Sequence, residues 1–219
     1  VTTLQFDPLN LYVQSSTDAR GNAVAVETFD FRVLAPTRLR DASQNISAVA
    51  FDIRGLPVAS ATLGKVEPRV GALPETTESG DRVDEFRFDE LNPEPAAVTG
   101  FFTGQTLNQA LARQWLGKAT ARFIYHFGDA QGPTPAGACS LARERHERDL
   151  ANTPGSNMPL QIAFEYSDGA GQAFVKKVQA ESDPALPVAR QVPRWIANGK
   201  TIVNNKGKPV LQYLSLIHI

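Results

Sequence analysis

Asp18-Ala-Arg-Gly21-Asn-Ala-Val24 and Asp52-Ile-Arg-Gly55-Leu-Pro-Val58 follow one pattern: an Asx residue, two variable residues, a glycine, two more variable residues and a bulky apolar one. It returns as Asp168-Gly-Ala-Gly171-Gln-Ala-Phe174 and Asn204-Asn-Lys-Gly207-Lys-Pro-Val210. An Asx side chain accepts a hydrogen bond from the backbone two residues on, and glycine takes the left-handed conformation that closes a type I turn with a bulge. Each copy therefore reads as the tip of a β-hairpin. A fifth stretch, Asp41-Ala-Ser-Gln44-Asn45, carries Gln44 in place of glycine. Holding Gln44 left-handed costs roughly 1–2 kcal/mol, so a differently shaped turn is expected there.

Outward from these turns the chain reads as strand, turn, strand. Leu11-Tyr-Val13, Val24-Ala-Val26, Phe29-Asp-Phe-Arg-Val33 and Ala48-Val-Ala-Phe51 supply the β-formers of the first third. The Asp18 and Asp52 turns lie 34 residues apart and the Asp168 and Asn204 turns 36, a spacing that suggests stacked repeats. Later, Ala121–Phe127, Ala138–His146, Leu160–Tyr166 and Phe174–Ala180 suit extended structure. Leu160, Ile162, Phe164 and Tyr166 alternate with Gln161, Ala163 and Glu165 as a half-buried strand does.

Between these β-rich parts, Val66 to Asp89 lacks periodicity and reads as an exposed loop. A short helix is expected after it, with Asn92 as cap and Pro93 in the first turn. A second, from Thr106 to Gly117, shows Leu107, Ala110, Leu111, Gln114 and Trp115 at helical spacing. The expected organisation is hairpin repeats over 1–65, loop and helical insertion over 66–118, and a hairpin segment over 119–213. The tail Leu214-Ser-Leu-Ile-His-Ile219 resembles a translated sequencing adapter.

The 219 residues carry a net charge of −1 with scattered basic groups, which argues against a nucleic-acid binder. One cysteine, Cys139, excludes an internal disulfide. No run approaches the roughly 20 apolar residues of a membrane-spanning helix.

Phe164-Glu-Tyr-Ser-Asp-Gly-Ala-Gly-Gln172 and Lys176-Lys-Val-Gln-Ala-Glu181, followed by Pro193-Arg-Trp195, Gly199, Thr201, Asn204–Val210 and Gln212-Tyr213, resemble the B component of bacterial insecticidal toxin complexes and its SpvB-like, Rhs/YD-repeat relatives. Phe6–Val13, Asp18–Asn22, Phe31–Leu34, Ala50–Asp52 with Gly55, Leu63–Lys65, Leu116–Thr120, and Leu141–Glu144 with His146 keep the same order. Arg194 to Tyr213 is the most specific part. Departures are Phe6 and Phe51 where the repeat often has tyrosine, Gln44, and the Val66–Asp89 loop.

The resemblance implies a slice of a shell wall of antiparallel hairpins in a secreted toxin. That shell encloses a C-terminal effector, meets the C component, and docks on a pore-forming A component through regions outside this segment. It implies no cofactor, metal or catalytic residue here. An alternative is a surface adhesion or carbohydrate-binding module built of the same repeats.

Candidate chemistry is sparse. His126 sits in an apolar strand and reads as a packed histidine. His146-Glu147 lacks a second histidine four residues on, so it is no zinc-protease helix. Arg143–Asp149 reads as a solvated strand face with cross-strand pairing. Cys139 reads as a buried or idle thiol. Asn45-Ile-Ser47 fits a glycosylation sequon, and the Asp18, Asp52 and Asp168 carboxylates offer one acid per tip where calcium needs several oxygens. No nucleophile elbow or phosphate-binding loop occurs. Enzymatic activity is the lowest-ranked reading.

Overall fold

The computed structural model describes residues 1–67, 77–78, 80–84, 86, 93–104, 108–128, 134–147, 149, 159–168, 172–180, 194–197 and 201–213. The fold is mainly β, an antiparallel arrangement with two small helices. The chain divides into two compact units: Val1–Leu91 with Leu116–Arg122 and Arg143–Pro159, and Asn92–Trp115 with Phe123–Ala142 and Leu160–Ile219.

The first unit is a meander. Strands β1 (Thr3–Phe6), β2 (Val13–Thr17), β3 (Ala23–Asp30), β4 (Ala35–Arg40), β5 (Asn45–Phe51) and β6 (Pro57–Glu67) pair antiparallel in chain order, and the short β7 (Thr77–Glu78) adds to β6. Register shifts at Gln5/Phe6 and Ala50/Phe51 place bulges beside the turns. Ile46, Ala61 and Leu63 form the core on one face, with Ala48 and Val83 packed against them. The start of β8 (Ala121–His126) pairs with β6 through Ala59↔Arg122 and Ser60↔Ala121. There Arg122 Nη1 donates to Val58 O at 3.0 Å, and its guanidinium lies over the Phe86 ring.

In the second unit the strand order is β8, β9 (Gly137–Arg143), β10 (Leu160–Ser167), β11 (Ala173–Ala180) and β12 (Arg194–Ala197). β13 (Thr201–Val203) and β14 (Pro209–Gln212) form a separate hairpin. The alternation along β10 buries Ile162 and Phe164 and leaves Gln161 and Glu165 exposed. Phe101 and Phe102 of α1 (Pro95–Thr103) and Trp115 of α2 (Gln109–Leu116) cover that inner face. Phe101–Phe164 and Phe102–Phe164 ring centroids lie 5.7 and 5.2 Å apart. Lys177 joins them, its Nζ 4.7, 5.3 and 5.2 Å from the Phe164, Tyr166 and Trp195 ring centres. Cation–π attraction lets this lysine sit on an apolar face.

The helix starts differ from expectation. α1 begins with Pro95 in its first turn and Glu94 in the capping position, without a side-chain cap, so Pro93 lies outside the helix. Pro95 needs no N–H partner in the first turn, where its fixed φ also suits the helix. α2 begins at Gln109, with Asn108 Oδ1 accepting from Leu111 N–H at 3.0 Å. Thr106, where the helical stretch is expected to start, lies outside the described residues, as do Asn92 and the 214–219 tail.

Candidate functional site: Asx turns and the buried Asp81 node

At the tip between β2 and β3, Asp18 Oδ1 accepts from the backbone N–H of Arg20 and Asn22 at 2.8 and 2.9 Å, and Oδ2 accepts from Asn22 Nδ2 at 2.8 Å. Two backbone bonds close the turn, Asp18 N–H to Asn22 O and Gly21 N–H to Asp18 O. Gly21 stands at φ +85°. The Asp52 turn repeats the frame through Arg54 and Leu56, with Gly55 at +81°, and the Asn204 turn through Lys206 and Lys208, with Gly207 at +71°. At Asp168 the carboxylate accepts from Gln172 N–H at 2.9 Å. Gly171 lies outside the described residues.

The Asp41 turn corrects the expectation drawn from Gln44. Asp41 accepts from Ser43 and Asn45 N–H and from Asn45 Nδ2 at 2.8, 2.8 and 2.9 Å, the same set as Asp18, and Gln44 sits at φ +67° in glycine's place. The converging donors hold the backbone left-handed against a cost of roughly 1–2 kcal/mol. Glycine at this position therefore relieves strain without being needed to define the shape.

Two more turns escaped the Asx-x-x-Gly pattern. Asp7 accepts from the N–H groups of Leu9, Leu11 and Tyr12 at 3.0, 2.5 and 3.0 Å around a loop one residue longer, with Asn10 at φ +55°. Asp30 accepts from Arg32 N–H, with Leu34 at φ +52°. The signal that finds them is spacing. Asp7, Asp18, Asp30, Asp41 and Asp52 follow at intervals of 11 or 12 residues, one per hairpin tip, and the 34-residue period spans three hairpins.

The Asp7, Asp18, Asp30 and Asp41 carboxyls titrate low. At Asp18 and Asp41 the side-chain amide of the following asparagine is the main cause, then backbone N–H groups. At Asp7 burial pushes the pKa up, but the backbone donors together outweigh it. At Glu27 burial is likewise outweighed, by Arg38 and Arg40, which share the one carboxylate.

A different aspartate lies inside the stretch expected to be an exposed loop. Asp81 is fully buried, because Gly80 N–H and Asp81 N–H donate to Leu63 O and Thr62 O of β6. Its Oδ2 accepts from Thr120 Oγ1 at 2.6 Å and His146 Nδ1 at 3.0 Å. Its Oδ1 accepts from Glu147 N–H at 2.8 Å and faces Arg143 Nη1 at 3.5 Å. Arg143 Nε and Nη2 donate to Ala119 O and Gly117 O, both at 2.6 Å, serving a carbonyl left over past the end of α2.

The charged run from Arg143 is not a strand face, although Glu144, Arg145, His146 and Asp149 are exposed as a solvated run would be. β9 ends at Arg143, whose side chain is buried, and beyond two exposed residues His146 Nδ1 and Glu147 N–H reach Asp81. A buried guanidinium needs a paired carboxylate, and the nearest one comes from a distant loop.

His126 is buried, its Nε2 3.3 Å from Thr99 Oγ1 and its Nδ1 accepting from Gly128 N–H at 3.2 Å. Burial pushes the Cys139 thiol well above the usual range. Among the described residues no group of three His, Cys, Asp or Glu side chains could hold a metal, and no helix is long and apolar enough to cross a membrane.

Neither a protein-family model nor a curated protein sequence matches this chain. Two solved structures share its fold: TcdB2-TccC3 (TM-score 0.63, 19% identity) and TcdB2-TccC3-TEV (TM-score 0.62, 16% identity), each over 98% of this chain. The chain spans 10% and 12% of those chains. The hairpin meander with its helical pair is a fold found within Tc toxin complex chains.

Proposed function

We propose that this chain is a structural shell segment of a secreted Tc-type toxin B component, helping to wall in a C-terminal effector beside the C component. The observation that carries this reading is fold likeness across 98% of the chain to a small part of the TcdB2-TccC3 chain. The physical features support it. From β1 to β6 each strand is tied to the next by a self-contained turn, so a wall can be extended hairpin by hairpin as long as one face stays apolar. The buried Asp81 carboxylate, bonded to Thr120, His146 and Glu147, ties β6 to two later segments and gives the wall a seam.

The test is a chimera in which residues 1–213 replace the matching stretch of TcdB2-TccC3. Protease resistance of the enclosed part should match that of the parent complex. A chimera that fails to assemble, or one that assembles with its cargo open to protease, overturns the reading.

A further inference from the structure

On the outer face of the second unit, three adjacent strands build a trough. Along β8 His126 and Ile124 point into the core, so Tyr125 and the following Phe127 face out, with Phe127 55% exposed. Their ring centres lie 6.4 Å apart, with the planes tilted by 27°. Along β10 Ile162 and Phe164 point inward, and Glu165 and Ser167 face out. Between them runs the start of β9, where Ala136, Gly137 and Ala138 offer almost no side chain. A Cβ at Gly137 would stand 2.7 Å from Glu165 O, so the middle strand is held low and close. The result is an open cavity of about 260 Å³ with one aromatic wall and one polar wall.

We propose that this trough binds a neutral glycan, one hexopyranose ring stacking its C–H face on Tyr125 and Phe127. Glu165, its partner Lys176 and Ser167 then meet the ring hydroxyls. The aromatic faces carry negative potential and attract weakly positive C–H groups, and they bury the sugar's apolar side. Glu165 and Lys176, 3.2 Å apart, supply an acceptor and a donor together, which suits hydroxyls that both give and take hydrogen bonds. The same pairing argues against an ammonium ligand, because Lys176 already neutralises the carboxylate. A purely apolar segment is disfavoured by the polar second wall. The volume equals roughly nine waters' share of the liquid, room for a single ring.

The test titrates the full chain with cello-, malto- and galacto-oligosaccharides and, separately, tetramethylammonium, read by saturation-transfer NMR and calorimetry. At least one glycan should bind with Kd of about 1 mM or tighter. Phe127→Ala should weaken it about tenfold, and Ala138→Leu should abolish it by filling the trough with both rings in place. Thermal unfolding of each variant checks the fold; Phe127, being exposed, tolerates truncation even if Tyr125→Ala does not. Silence from every glycan, equal binding by the variants, or displacement of the glycan by tetramethylammonium overturns the proposal.

Discussion

Asp41 and Asp81 stand forty residues apart in the same unit and do opposite work with the same side chain. Asp41 sits at an exposed tip, and the partners that fix its turn lie within four residues of it. Asp81 is fully buried, and its carboxylate takes partners 39, 65 and 66 residues away. One aspartate shapes a turn that would form in many contexts; the other exists only once three segments have come together. Local carboxylates set the strand order, and the non-local one decides which segments that order is locked against.

The largest effect expected from breaking this comparison is at Asp81. Asp81→Ala leaves Arg143 buried with no counter-ion and should cost about 3–5 kcal/mol in denaturant unfolding. A loss under about 1 kcal/mol would place Asp81 in the same class as the turn aspartates.

Next is Gly80→Ala. Its Cβ would stand 2.3 Å from Thr62 O, a backbone atom that cannot swing aside, so Asp81 must move off β6. A loss of about 1–3 kcal/mol or more is expected, and it should largely vanish in an Asp81→Ala background.

At the turns, the Asp18 and Asp41 tips form a natural control for each other. Gly21→Gln should cost about 1–2 kcal/mol. Gln44→Gly should recover a little less, because glycine gives back about 0.5–1 kcal/mol in chain entropy. Open space around Gly21 means that backbone strain alone is being read. No change in either variant would show that the hydrogen bonds accepted by the Asx side chain, with no help from glycine, carry the whole cost.

The smallest effect is in acid. Asp18 and Asp41 have folded pKa values below the unfolded value of about 3.9. Their stabilisation is therefore complete above that value and is lost as pH falls through the folded one. Asp41→Asn keeps an oxygen acceptor, as Asn204 does at its own tip, and should flatten the Tm decline below pH 4 while leaving Tm at pH 7 nearly unchanged. A steeper acid limb in the variant would overturn the assignment.

The turn chemistry was legible because its physics is short-range. Asp with Gly three residues on is enough to name a tip, and the 11-to-12-residue aspartate rhythm names the Asp7, Asp30 and Asp41 tips, which lack glycine. Gln44 misled because propensity was weighed at one residue, whereas five converging hydrogen bonds decide that turn. The aperiodic stretch around Asp81 looked exposed because nothing near it in the chain explains its burial.

By itself, the sequence determined a β-rich chain of antiparallel hairpins, the alternation that buries Ile162 and Phe164, and two short helices. All of these follow from periodicity and contacts within a few residues. Only the tertiary structure decided that Asp81 joins β6 to Arg143 and His146, that Lys177 rests among Phe164, Tyr166 and Trp195, and that Tyr125 and Phe127 overlook an alanine trough. These arrangements depend on which strands become neighbours, and that is settled by packing across tens of residues.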